Sequence, residues 1–310
     1  MGLKGAMHTH LKSVQSKPDK MICYAISDNN KDVLSRETAI LPGVFAYNDY
    51  REMLKLPELD AVIIATPHDT HKRICVDCLN AGKHVLIEKP LAPSVSECRE
   101  ICAAAEKSGK VLAVGHNERF IPGYAKIKEI LDSGELGRIF GARADHYQNF
   151  NPREGSWWKS KDKIGGGCVM GSGIHRLDLL RWYIGEVADV KSHSVGVPFR
   201  FDGEVLNASV LTFENGAIAE FFCNWGVYRY PVFETLSIFG EEGMVCFDGE
   251  KLLKSTRACP ELTPVDPGFC PDLIGHFYDC IVTGKKPLVD GYEGTKAVEM
   301  VEKIYDAVDR

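Results

Sequence analysis

Three places in this sequence put chemically useful side chains in company. Glu88-Lys89-Pro90 follows the short apolar run from His84 to Ile87, so a lysine stands at a strand end with a carboxylate beside it and a proline closing the element. His175 and Asp178 stand three positions apart after the run Gly165-Gly166-Gly167, a spacing that puts both on one helix face. An imidazole, with an ordinary pKa of about 6.5, can take and return a proton near neutrality. An ammonium group beside an oxygen stabilises negative charge developing there. The third place is Asp28, which closes the strand-like run from Ile22 to Ile26 and lies 26 positions after Gly2. That is near the spacing at which an acid hydrogen-bonds an adenosine ribose, and a carboxylate there repels a 2′-phosphate, which favours NAD over NADP.

These groups need a scaffold, and the first third of the chain supplies its rhythm. Ala61 to Ala65 is a continuous apolar run, as expected of a parallel strand buried on both faces. A helix is predicted from about Thr70 to Asn80, a second strand from His84 to Ile87, and a helix from Ser94 to Ser108. Ser94 with Glu97 has the spacing of a capping box, and Gly109 is a stop. Val111 to Val114 is a further strand. Strand and helix in alternation predict a parallel sheet covered by helices. After Pro122 the pattern changes. A helix over Tyr124–Asp132 and a strand over Ile139–Tyr147 precede a helix from about Ser172 to Tyr183. From Val190 to Leu253 successive strands follow, with hairpin signals at Asn215-Gly216 and Asp248-Gly249. Helices around Asp272–Val282 and Tyr292–Val308 close the chain. The expected fold class is therefore α/β: a Rossmann-type parallel-sheet domain over residues 1–121, then an α+β domain with a large, mostly antiparallel sheet over 122–310.

The dinucleotide fingerprint itself is damaged. In G-x-G-x-x-G the glycines follow a strand and open a helix. Here Gly2 can be the first, Lys4 and Met7 stand at the next two places, and Gly5 is the other glycine of the turn. No strand precedes Gly2 in the sequence. Either Met1 is an internal methionine with a strand upstream, or the cofactor site is altered. A sheet without that central strand would expose the backbone edges of both its neighbours.

The bulk composition fits an ordinary globular protein of two domains: 310 residues, 45% hydrophobic, 26% charged. A net charge of −6 without a basic block gives no reason to expect a nucleic-acid or membrane partner. No apolar stretch approaches a membrane span and the first residues lack the apolar core of a signal peptide, so the expected location is the cytoplasm. Of eleven cysteines, Cys75 with Cys78 and Cys98 with Cys102 each share a helix face. Further ligands at matching spacing are missing, so these read as small buried hydrophobes and no metal site is expected.

With AVIIATPHDTH, AGKHVLIEKPLA, VGHNERFIP, SGELGRI, IGGGCVMGSGIHRLDLLRWYIG and KKPLVDGYEGTKAVEMVEKIY on the page, nearly the whole chain resembles the glucose–fructose oxidoreductase / inositol dehydrogenase (Gfo/Idh/MocA) family. The resemblance implies an NAD(P)-dependent dehydrogenase acting on a secondary hydroxyl of a sugar, inositol or related polyol, and a homodimer or homotetramer formed through the C-terminal sheet. It makes His175 the acid/base, Lys89 its partner on the substrate hydroxyl, and Asp178 a substrate ligand. It places Thr66, Pro67, Glu88, Lys89, Asn117 and Trp158 around the cofactor. It also brings His71 nearby, although helix packing is an equal alternative for that residue. Lys159 stands where relatives often carry Arg. Many relatives carry Asp four positions before the histidine; here that position is Gly171, and His146, Tyr147 and Asn149 are candidates to replace it. Two other readings stay open: a non-catalytic or regulatory member with impaired cofactor binding, and a redox-neutral enzyme that keeps NAD tightly bound.

Overall fold

A computed structural model describes residues 6–197, 201–228 and 235–308, so Gly2 and Gly5 lie outside the described residues. In chain order the elements are α1 (Ala6–Gln15), β1 (Ala25–Ser27), α2 (Lys31–Ile40), β2 (Phe45–Tyr47), α3 (Tyr50–Leu54), β3 (Ala61–Ile64), α4 (His71–Asn80), β4 (His84–Glu88), α5 (Val95–Ser108) and β5 (Leu112–Gly115). Then follow α6 (Pro122–Asp132), β6 (Ile139–Tyr147), α7 (Lys161–Ile164), α8 (Ile174–Ile184), β7 (Val187–Gly196), β8 (Glu204–Phe213) and β9 (Ile218–Asn224). The chain continues through β10 (Leu236–Gly240), β11 (Gly243–Phe247), β12 (Leu252–Thr256), β13 (Thr263–Pro264), α9 (Leu273–Thr283) and α10 (Gly291–Asp306). Two compact units result, residues 1–115 with 271–295 and residues 116–270 with 296–310. The sequence predicts a single division after residue 121. The first unit instead also takes α9, because Asp272 caps that helix at Gly275 N (2.7 Å) and pairs with Lys17 just after α1 (2.5 Å). Leu273, Ile274 and Phe277 of α9 are buried.

In the first unit β3, β4 and β5 form a parallel sheet, with Ala61 opposite His84 and Val85 opposite Leu112. Ile64, Val85, Ile87 and Val114 are fully buried in it, as the continuous apolar runs predict for strands covered on both faces. Ser94 caps α5 by accepting from Glu97 N at 3.3 Å, and Gly109 ends that helix at φ +63°, the left-handed conformation that glycine adopts without strain. The strands β1 and β2, however, pair only with each other, in parallel. Among the described residues no strand joins this pair to the sheet of three. What bridges the two is apolar packing: Ile26 of β1 lies in one cluster with Met7, Val33, Leu34 and Leu41, and Ile63 and Ala65 from the β3 side pack against it.

In the second unit eight strands form one sheet in the order β13-β12-β11-β10-β6-β9-β8-β7. Every neighbouring pair is antiparallel except β6 with β9. Gly216 (φ +84°) turns β8 into β9, and Gly249 (φ +93°) turns β11 into β12, the two hairpins expected from Asn-Gly and Asp-Gly. The helices α6 and α8 cover one face, over Ala144, Leu211, Phe221 and Val245. The helix leading out of the glycine run differs from expectation. Val169–Gly173 form a π-helical turn, and the regular helix begins only at Ile174. Among the described residues no helix is long and apolar enough to cross a membrane.

Candidate active site

The parallel strands of the first unit deliver their polar groups at carboxyl ends, where such sheets place ligands. Asp28 directly follows β1, and its Oδ1 accepts from Asn30 N at 2.8 Å, so it also shapes the turn into α2. Thr66 and Pro67 follow β3, with Thr66 Oγ1 accepting from Thr70 Oγ1 at 2.8 Å. Glu88 is the last residue of β4 and Lys89 the next, half-buried and followed by the buried Pro90. Glu88 is held by a residue the sequence reading passed over: His10 Nε2 on α1 donates to its Oε1 at 2.6 Å, while Lys89 N donates to its Oε2 at 3.3 Å. Burial by itself would raise the Glu88 pKa. The His10 bond and the nearby positive charge outweigh it and hold the carboxyl below its ordinary value. The signal for His10 was its place on the helix after the glycine turn; nothing local in the sequence pairs it with a residue 78 positions away.

His71 is 0% exposed, with Nδ1 at 2.8 Å from the Pro90 carbonyl and Nε2 at 3.0 Å from the Thr66 carbonyl. Burial lowers its pKa against the pull of those two carbonyls, so the ring stays neutral and donates to one of them. Buried between the segments carrying Thr66 and Lys89, with one N–H to share between two carbonyls, it stands as a packed helix residue, the alternative that the sequence left open for it.

In the second unit His175 sits in the first turn of α8. From Cys168 to Arg181 it is the one side chain that is not buried. Asp178, expected to grip substrate, is corrected by its surroundings. It is 1% exposed, and both its oxygens are taken by Arg119, which donates from Nε at 2.8 Å and from Nη2 at 2.7 Å. Arg119 is itself buried and lies over the Trp182 ring. Glu118 pairs with Arg176, whose Nε also donates to the Asp145 carbonyl at 3.2 Å. The segment after β5 and the end of β6 are thus both tied to the start of α8. His146 and Tyr147 end that strand half-buried. Asn149 is exposed, but its amide donates to the Tyr228 carbonyl at 3.2 Å, so its part is to hold the loop. Asn117 is exposed at the start of the short 3₁₀ turn after β5. Trp158 stacks on Trp157 with centroids 4.2 Å apart, and Lys159 pairs with Glu154 at 3.4 Å.

The glycine at 171 has a structural cause. Trp225 is buried, stacks on Phe150 at 3.8 Å, and donates from Nε1 to Ser172 Oγ at 2.5 Å. A Cβ on Gly171 would overlap Cη2 and Cζ2 of that indole. Any side chain here, carboxylate or not, competes with Trp225 for the same space. A cavity of about 860 Å³ does exist in this unit, lined by Ser194, Glu204 and Tyr305 among others; Gly165 and Gly166 of the glycine run border it, but none of the candidate catalytic or ligand-binding residues does.

Two outcomes follow from this geometry. Gly171→Ala should cost about 1–3 kcal/mol in urea unfolding, because the indole has no room to yield. Glu88, with its pKa held below the ordinary value, contributes stability that is present above that value and lost as pH falls through the folded one. The stability gap between the wild type and Glu88→Gln should therefore shrink as the unfolding midpoint is measured from about pH 6 down to about pH 3.

Residues 1–116 match the profile described as "Oxidoreductase family, NAD-binding Rossmann fold", and residues 124–246 match the GFO/IDH/MocA C-terminal domain. The chain is 30% identical to inositol 2-dehydrogenase 2 of Saccharopolyspora erythraea, over 87% of this chain and 78% of that protein. It is 33% identical to 1-carboxy-3-chloro-3,4-dihydroxycyclohexa-1,5-diene dehydrogenase of Comamonas testosteroni, over 63% of this chain but only 49% of that one, so the chain spans about half the length of some relatives it matches. In fold it is similar to levoglucosan dehydrogenase solved with NADH and levoglucosan, at a TM-score of 0.90 and 20% identity, over 99% of this chain and 95% of that one. The chain belongs to the GFO/IDH/MocA oxidoreductase family.

Proposed function

We propose that this protein is an NAD-dependent dehydrogenase that oxidises a secondary hydroxyl of a cyclic polyol or sugar. The observation that carries the reading is the exposure pattern around α8. In a stretch otherwise buried from residue 168 to 181, the half-exposed side chain is the imidazole. Family membership and the names of the relatives, inositol and levoglucosan dehydrogenases among them, support the substrate class. The carboxyl ends of β1, β3 and β4 suit a dinucleotide, with Asp28 as the ribose ligand and Thr66 and Pro67 beside the nicotinamide half. Asp28 favours NAD over NADP.

When bound, nicotinamide supplies the hydride acceptor. His175 takes the hydroxyl proton, for which an imidazole is suited near neutral pH. Lys89 stabilises the negative charge that develops on the oxygen. Glu88, held by His10, fixes the strand end that carries Lys89. Lys4 and Met7 at the places of the second and third fingerprint glycines, together with Gly171, support a second reading, in which cofactor binding is impaired and the protein serves a regulatory or binding role.

Calorimetry with NAD and NADP separates the two. Micromolar NAD binding with weaker NADP supports the dehydrogenase, and binding of neither supports the second reading. With an active polyol in hand, Lys89→Ala and His175→Ala should each lower kcat by about 10²–10⁴ while NAD affinity holds for His175→Ala. Unchanged turnover in either variant removes that residue from the chemistry.

The open face of the large sheet supports a homo-oligomer. Register places Val195, Val210, Ile218, Phe222, Phe239 and Met244 on the face away from α6 and α8, and the first three are about half exposed. The same face carries Lys191, Arg143 and Glu220, and apolar side chains exposed among charges of both signs suit a second copy of the chain. Sedimentation should give a dimer or tetramer for the wild type and a smaller species for Val210→Glu.

A further inference from the structure

His116 was not among the residues that the sequence singled out, yet it stands at the centre of the most constrained polar group in the second unit. It is 0% exposed. Its Nδ1 lies 3.8 Å from Asp178 Oδ2, within the range of charge attraction and beyond that of a hydrogen bond. Asp178 has no freedom of its own, because Arg119 grips both oxygens and Arg119 is buried in turn against Trp182. On its other side the His116 ring meets the His175 ring edge to face, with centroids 6.0 Å apart and planes at 83°. Guanidinium, carboxylate, imidazole and imidazole thus form a row, fixed at its buried end and half-exposed at the other.

We infer that His116 is a positioning residue for His175: the locked Asp178 carboxylate orients the His116 ring, and that ring sets the plane of His175. This rests on the reading of His175 as the acid/base. A carboxylate at this distance favours the His116 tautomer with its hydrogen on Nδ1, which fixes the edge presented to each neighbour. Edge-to-face contact then restricts His175 to one ring orientation. A half-exposed imidazole without such support rotates between rotamers. A base must be held within about 0.5 Å of its productive place, and a misplacement of about 1 Å can cost on the order of a hundredfold in rate. Under this inference Asp178 serves the reaction two residues removed from substrate.

The variant His116→Phe keeps ring volume and ring contact but removes the nitrogen that faces Asp178. The readout is ¹⁵N NMR of the full chain labelled at histidine, with the His175 signal assigned by its loss in His175→Gln. The wild type should show His175 in one dominant tautomer, and His116→Phe a mixture. In turnover, His116→Phe should lower kcat by about tenfold or more with KM and NAD affinity unchanged. If His116→Phe does not fold, His116→Asn, which keeps a donor near the place of Nδ1 and removes the ring, gives the same NMR comparison. A His175 signal identical to wild type in the folded variant overturns the inference, whatever the turnover. If the wild type reduces NAD with no polyol or sugar, the dehydrogenase reading fails, and the NMR comparison still decides whether His116 holds His175.

Discussion

A guanidinium taken out of water must be met by a carboxylate with both oxygens, and the pair of Arg119 and Asp178 is the constraint on which the second unit depends. Removing either partner would leave a buried charge uncompensated, at a cost of about 3–5 kcal/mol. The bidentate geometry fixes direction as well as distance. It holds the turn after β5 against α8, and the neighbouring pair of Glu118 and Arg176 does the same two residues earlier on the helix. Between them the two pairs determine where the first turn of α8 lies. His175 inherits its place from these buried pairs.

The first unit solves a similar problem with neutral and singly charged partners. Lys89 must be presented at a strand end, but strand ends are the least restrained part of a sheet. Here the residue before it is tied by His10 to α1, and the residue after it is tied through its carbonyl to His71. The same His71 ring lies 3.0 Å from the Thr66 carbonyl, and its one N–H goes to one carbonyl or the other. Among the described residues β1 and β2 pair with each other, and apolar packing around Ile26 and Met7 joins them to Ile63 and Ala65 beside β3.

Gly171 illustrates how one absent side chain is explained by one that is present. Trp225 comes from the end of β9, more than fifty positions downstream, and fills the volume that a Cβ at 171 would need. Its N–H is satisfied by the next residue, Ser172, so the indole is both packed and hydrogen-bonded. The π-helical turn at Val169–Gly173 accommodates this contact and delays the regular helix to Ile174. On this side of His175 the space is filled by an indole and not by a further polar side chain.

The sequence by itself determined the elements and their class. Continuous apolar runs, a Ser cap, glycine stops and Asn-Gly or Asp-Gly turns act over a few residues, and β3, β4, β5, α5, β6 and the two hairpins lie where those local signals put them. The short β2 and the transfer of α9 to the first unit were not legible, since each depends on a partner distant in the chain. The same physical reason separates the site residues. Lys89 and His175 could be proposed from the sequence because a motif and a helix start carry them. What Asp178 and His71 meet could not be read there, because periodicity gives a face but not what lies against it. Only the tertiary structure decided that Asp178 meets Arg119, that His71 lies against two carbonyls, that His10 meets Glu88 and that His116 meets His175. Burial and pairing are properties of the fold, and no single stretch of sequence contains them.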